Sequence, residues 1–282
     1  MSGSLILVAT PIGNLGDFSP RAQEALSQAD RILCEDTRRT RILLSAFSIP
    51  AKGRLEAFHD HNETERIARI LEFLRSGELI ALVSDAGTPA ISDPGERLVA
   101  AAVAEGLRVT TVPGPSALLA ALVVSGFSTD RFVMEGFLPR KGAERATRLE
   151  HVRKEERTSV FYESPKRLGA TLADFVAILG PQRHVCIARE LTKLHEELWR
   201  GSVEEALAQF SDTEVRGEVV LVVEGATPRD TPEASDAQLM AALEAARLSG
   251  LSARDAAREV AELFDVPRRR VYELGVQGSN ES

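Results

Sequence analysis

Cysteine is almost absent from this chain of 282 residues: Cys34 and Cys186 stand far apart and match no metal-ligand spacing. That excludes a disulfide-stapled scaffold and a zinc module, and two lone thiols suit a reducing compartment, the cytoplasm. Long hydrophobic runs are missing too, and none approaches the roughly 20 apolar residues of a membrane helix. The first run, Leu5-Ile6-Leu7-Val8-Ala9, turns at Thr10-Pro11 without the basic start of a signal peptide, so it reads as a buried strand. Positive charge is in deficit, with a net charge of −8. This excludes nucleic-acid binding through the whole surface and leaves only local basic patches for such a partner. Neither a Gly-Lys-Ser/Thr phosphate loop nor a Gly-x-Gly-x-x-Gly fingerprint follows the first strand. His59 and His61 show no ligand spacing, and no metal is assigned.

What is present is material for a core, with 44% hydrophobic and 27% charged residues, in a chain long enough for two ordinary domains. Short apolar runs alternate with helical stretches. The strand-like runs are Leu5–Ala9, Arg31–Cys34, Leu79–Ser84, Arg108–Val112, Phe132–Gly136, Ser159–Tyr162, His184–Ala188 and Glu218–Val223. Most lack alternation, as expected of strands covered on both faces. Ser19-Pro20 reads as a helix cap, Ile67, Ile70, Leu71 and Leu74 share one helix face, and Ser164-Pro165 opens a helix that Gly180-Pro181 ends. The alternation predicts an α/β fold. The expected domains are 1–126 and 127–226, followed by a linker from Ala226 to Asp236. A helical unit over 236–282 has the outline of a helix-turn-helix, and equally that of a plain helical cap.

Three loops follow strands. Thr10-Pro11-Ile12-Gly13-Asn14-Leu15-Gly16 follows the first. The central one, Ser84-Asp85-Ala86-Gly87-Thr88-Pro89, runs on to Asp93-Pro94-Gly95 and carries two carboxylates among rigid residues, at a strand end where α/β sheets bind ligands. Asp85 and Asp93 offer acceptors for ribose hydroxyls or an amine, and Gly87 keeps the backbone open to a flat group. The third, Pro113-Gly114-Pro115-Ser116-Ala117, starts an apolar helix that Ser116 caps.

In this order the loops resemble those of the tetrapyrrole methylase family. Thr10 to Asp17, Ser84 to Pro89, Glu135 to Pro139, Phe161 to Ser164, Ala188 to Lys193 and Gly217-Glu218 are similar to its branch that modifies small-subunit ribosomal RNA. The resemblance covers essentially the whole chain. It implies the two-domain tetrapyrrole methylase fold, a class III methyltransferase with a small C-terminal helical, helix-turn-helix-like unit, and S-adenosylmethionine held between the two domains. The implied cofactor residues are Pro11, Gly13, Asp85, Ala86, Gly87, Thr88, Asp93, Ser116, Ala117, Tyr162, Glu163 and Gly217. The implied reaction is 2′-O-methylation of a cytidine in bacterial 16S rRNA, on the rRNA or the small ribosomal subunit, by a cytoplasmic homodimer. The tetrapyrrole enzymes carry a longer Gly-rich first loop, so a macrocyclic substrate fits this chain less well.

Three basic patches suit an RNA partner. Arg38, Arg39 and Arg41 follow the second strand. Residues 138–157 hold seven basic against four acidic side chains, among them Arg140, Lys141, Arg145 and Arg148, and Arg268-Arg269-Arg270 opens the last helix. A ribose hydroxyl is a weak nucleophile that needs a base or cation nearby. Glu190, Lys193 and Arg189 are the candidates, and they could instead form an ion-pair cluster between the domains. Competing readings are a precorrin or uroporphyrinogen methyltransferase, a nicotinamide enzyme using Glu35-Asp36, and a non-catalytic binding module.

Overall fold

The computed structural model describes residues 3–211, 215–227, 235–264, 266 and 268–277. The chain forms two compact units, 1–225 and 226–282. In the first unit, five parallel strands make one sheet: β1 (Ser4–Val8), β2 (Arg31–Cys34), β3 (Leu55–Ala57), β4 (Leu79–Leu82) and β5 (Arg108–Val112), in the order β3-β2-β4-β1-β5. Helices α1 (Pro20–Gln28) and α2 (Thr37–Ala46) cover one face, where Leu26 and Leu44 pack on Val8, Ile32 and Ala81. On the other, α3 (Glu63–Arg75) and α4 (Glu96–Ala104) bring Ile70, Leu74 and Leu98 onto Leu5, Leu33 and Leu82. Covering on both sides is why β1, β2 and β4 read as largely apolar runs, which the edge strands β3 and β5 do not. Ser19 caps α1 through Ala22 N–H, with Pro20 at the first helical position.

A second sheet follows α5 (Ala117–Ser125). Its elements are β6 (Phe132–Phe137), α6 (Ala143–Lys154), β7 (Thr158–Glu163), α7 (Leu168–Leu179), β8 (His184–Arg189), β9 (Glu197–Ser202), α8 (Val203–Phe210) and β10 (Val219–Val223). The order is β6-β7-β10-β8-β9, and every pairing except β6 with β7 is antiparallel. Side chains of β10 alternate across the sheet. Val219, Leu221 and Val223 meet α6, α7 and α8, while Val220 and Val222 meet Leu118 and Leu122 of α5. Helix α5 therefore packs with the second sheet. The boundary expected near residue 126 falls at the end of this helix, within the compact unit 1–225.

The second unit holds α9 (Asp236–Leu248), α10 (Ala253–Phe264) and α11 (Arg268–Gln277). Leu239, Leu243, Ala257, Val260 and Val271 form its core, and Ser235 and Gln238 make a capping box at α9. Most of the linker expected from 226 to 236, and Asp265 and Pro267 of the expected turn, lie outside the described residues.

Candidate active site

The three sequence-read loops converge where β1, β4 and β5 end. Thr10 and Gly87 form an antiparallel bridge, Thr10 N–H to Gly87 O at 2.9 Å and Gly87 N–H to Thr10 O at 3.1 Å. The buried Thr10 hydroxyl donates to Ser84 O at 3.2 Å, and that of Thr88 to Pro115 O at 3.2 Å. Gly114 lies so close to β1 that a Cβ on it would stand 3.0 Å from the Ala9 methyl. Gly87 adopts φ 84°, a left-handed conformation that glycine takes without steric cost.

Between these loops and the second sheet lies a cleft of about 360 Å³, within the range of small-ligand sites. Of the expected cofactor residues, Asp85, Ala86, Gly87, Thr88, Asp93, Ser116 and Ala117 line it from the first half, and Tyr162, Glu163 and Gly217 from the second. Pro11 and Gly13 do not; Ile12 between them does. The cleft also takes in Ile91, Ser92, Phe137, Leu191 and Glu218, which the sequence did not single out as cofactor residues, and Arg39, which it placed in a basic patch. Phe137, at the end of β6, is 55% exposed there. Glu35 and Asp36, the acids of the nicotinamide reading, do not line the cleft; Asp36 caps α2 through Arg38 N–H at 2.8 Å.

Several of these side chains are already engaged. Asp85 accepts Asp36 N–H at 3.1 Å and pairs with Arg39 at 3.2 Å, which ties β4 to the start of α2. The Glu163 carboxylate is buried. It accepts Thr171 Oγ1 at 2.6 Å and Ser164 N–H at 2.7 Å and pairs with Arg167 at 3.3 Å. Glu163 thus lines the cleft with its carboxylate already engaged. Burial raises the Tyr162 hydroxyl above its ordinary value, so it stays protonated and can donate.

The expected catalytic trio lies outside the cleft lining. Glu190 accepts from Lys193 Nζ at 2.7 Å and from Glu218 N–H at 2.9 Å; Lys193 also reaches Glu218 at 3.0 Å, and Arg189 pairs with Glu197 at 2.8 Å. The hydrogen bond from Lys193 holds the Glu190 carboxyl below its ordinary value, which makes it a weak proton acceptor. Glu190, Lys193 and Glu218 thus form an ion-pair cluster, with Arg189 and Glu197 paired beside it. Two glycines make room for it. A Cβ on Gly13 would meet the Lys193 chain at 2.3 Å, and one on Gly217, at φ 92°, would meet Glu190 Oε1 at 2.2 Å. Gly217→Ala should therefore lower stability by about 1–3 kcal/mol through backbone strain and the displaced carboxylate. Thermal melts test this. The double variant with Glu190→Ala should recover the clash portion, and equal losses in both variants would contradict the contact.

The basic patch at 138–157 divides. Arg140 and Lys141 are exposed ahead of α6. Arg145 is 8% exposed and bonded to Asp174, Pro139 O and Thr171, and Arg148 donates to Glu135 at a bulge between β6 and β7. Lys141, Arg145 and Arg148 thus do not form the free helical stripe their spacing suggested, because Arg145 shares the buried face of Leu149 and Val152. In the second unit Arg268 and Arg269 are exposed, whereas Arg270 pairs with Asp236 at 2.8 Å and ties α11 to α9.

Residues 4–207 match the family described as Tetrapyrrole (Corrin/Porphyrin) Methylases, and residues 233–278 match the RsmI C-terminal HTH domain. The chain is 48% identical to a Synechocystis protein named Ribosomal RNA small subunit methyltransferase I, over 98% of both chains. It is 45% identical to one of that name from Mycobacterium tuberculosis, over 100% of this chain and 97% of the relative. A Thermotoga maritima protein of that name is 50% identical, over 79% of this chain and 99% of the relative. Among solved structures, the methyltransferase CobJ superposes with a TM-score of 0.59 at 22% identity, covering 82% of this chain and 97% of that one. A Thermus thermophilus uroporphyrin-III C-methyl transferase complexed with S-adenyl homocysteine gives 0.56 at 18% identity, over 78% and 96%.

Proposed function

The chain belongs to the tetrapyrrole (corrin/porphyrin) methylase family, and from that premise we propose that it transfers a methyl group from S-adenosylmethionine to the ribose 2′-hydroxyl of a cytidine in bacterial 16S rRNA. The observation that carries the reading is end-to-end similarity to proteins named Ribosomal RNA small subunit methyltransferase I, including the C-terminal helical unit. The cleft suits the donor: Ile12, Ala86, Leu191 and Val220 offer an apolar surface for a flat base, and Asp85 and Thr88 offer polar groups for hydroxyls or an amine. The donor supplies an electrophilic methyl carbon, and the protein's part is to bring the acceptor oxygen into line and exclude water. Arg140, Lys141, Arg268 and Arg269 are the proposed phosphate contacts, exposed as such contacts must be. We read the protein as cytoplasmic, in keeping with two free buried thiols. We also read it as a homodimer, for which Leu119 and Val123 of α5, 49% and 68% exposed, offer apolar surface.

Truncation after Gly225 tests the division of labour. The remaining unit keeps the whole cleft, and a relative of the same name is matched almost completely by 79% of this chain. The truncated protein should bind S-adenosylmethionine with unchanged affinity by calorimetry. Its RNA affinity should fall by about tenfold or more, with a shallower salt dependence from lost phosphate contacts. A folded truncation that loses the donor would contradict the assignment of the cleft, and mass mapping of the methylated nucleotide tests the acceptor.

A further inference from the structure

Four carboxylates line the cleft: Asp85, Asp93, Glu163 and Glu218. Three are held by cations: Asp85 by Arg39, Glu163 by Arg167, and the largely exposed Glu218 by Lys193. Among the described residues, Asp93 has no ion-pair partner, and no histidine lines the cleft. We propose that Asp93 accepts the proton of the substrate hydroxyl, in the place where the sequence suggested Glu190; the assignment rests on the ribose-hydroxyl reading above.

The loop that carries Asp93 is held in an unusual shape. Ala90 and Ser92 take φ 66° and 60°, conformations that L-residues keep only when their surroundings impose them. Ser92 Oγ lies 3.5 Å from where a Cβ on Gly136 would stand, so the loop sits against β6 of the second sheet. Asp93 is thus fixed at the seam between the halves, where donor and acceptor must meet. The groups that act on it come from four stretches: Glu35 after β2, Asp60 after β3, Ser84 and Asp85 after β4, and Tyr162 on β7. Arg39 and His59 act on Glu35. Burial, then the charge of Glu35, pushes the Asp93 carboxyl up to about 7, against the downward pull of a hydrogen bond from Ser84 and with added push from Asp85 and Asp60. A base whose conjugate acid titrates near the working pH combines availability with driving force.

In the step, a lone pair of the hydroxyl oxygen forms the new O–C bond to the methyl carbon. The S–C bond breaks with its electron pair left on sulfur, so the cationic sulfonium becomes a neutral thioether. The hydroxyl proton passes to a carboxylate oxygen of Asp93, and no oxidant or reductant is needed.

The test compares wild type, Asp93→Asn and Asp93→Glu in single turnovers saturated with both substrates. The wild-type rate should rise about tenfold per pH unit below about 7 and level off above it. Asp93→Asn should lose about 10²–10⁴-fold and that rising limb, and Asp93→Glu should regain part of both. Two readouts do not depend on turnover. Carbon-13 NMR should show the Asp93 carboxyl titrating near 7, and calorimetry should show S-adenosylmethionine affinity within about threefold of wild type in Asp93→Asn. Folding is checked by melting. The folded value of Asp93 lies above its unfolded one, so its contribution to stability is full at low pH and is lost as pH rises through about 7. Asp93→Asn removes that loss and should melt no lower than wild type in neutral buffer. An unchanged rate with the limb intact overturns the assignment. So does a loss of donor affinity with the saturated rate kept, which would make Asp93 a ligand of the donor's amine. A wild-type product methylated on the base, rather than the ribose oxygen, would overturn the ribose reading itself.

Discussion

Arg145→Ala is expected to destabilise the first unit by about 2–4 kcal/mol, because it removes a buried cation with three different partners. Its guanidinium donates to Asp174 at 2.8 Å, to Pro139 O at 2.9 Å and to Thr171 Oγ1 at 3.0 Å. Thr171 in turn donates to Glu163, so the substitution loosens the strand end that closes the cleft. Asp174 is 43% exposed, which keeps the figure below that of a fully enclosed pair. For a unit of this size the melting temperature should drop by roughly 5–15 °C. RNA affinity of the folded fraction should keep its salt dependence. A melt within about 1 kcal/mol of wild type, together with a shallower salt slope, would return Arg145 to the role its charge suggested.

Gly87→Val should weaken S-adenosylmethionine binding by about 100-fold or more, equivalent to about 2.7 kcal/mol. At φ 84° a β-branched residue is strained. Its Cβ would stand 3.4 Å from Ile12 Cγ2, so the two methyl groups must occupy cleft space or push the first loop away. Gly87→Ala separates the causes. Its methyl fits at ordinary contact distance, so it should lose stability by about 1–2 kcal/mol with a much smaller loss of affinity. Calorimetry on the folded variants decides, and a valine variant that binds like wild type would remove the central loop from the donor site.

The parts of the fold that the sequence made legible share one cause. Strands covered on both faces, such as Ile32–Cys34, are apolar throughout and leave a plain signal. Strand β3 is three residues long, and β9 is an edge strand carrying Arg200 and Gly201, so neither has such a run. The loops at the cleft were legible because left-handed or crowded backbone demands glycine and proline, as at Gly87 and Gly114. Side-chain direction was not legible from charge. Arg145 counts as basic wherever it points, although its spacing from Leu149 and Val152 marks the buried face. Asp93 was read only as support for the donor, because Glu35 and Asp60, whose charges act on it together with Asp85 of its own loop, come from two other stretches of chain.

The central place of β10 has a consequence for synthesis. Strands β7 and β8 each pair with β10, yet it is the last strand of the unit to leave the ribosome. The first sheet can close once residue 112 has emerged; the second waits until 223. In that interval Leu118 and Leu122 of α5 lack the strand residues Val220 and Val222 that cover them. A nascent chain passing through this window carries a finished half and an unfinished one whose apolar surface is open to the wrong partner. Substitutions in β10 should therefore act on the yield of folded protein before they act on its activity.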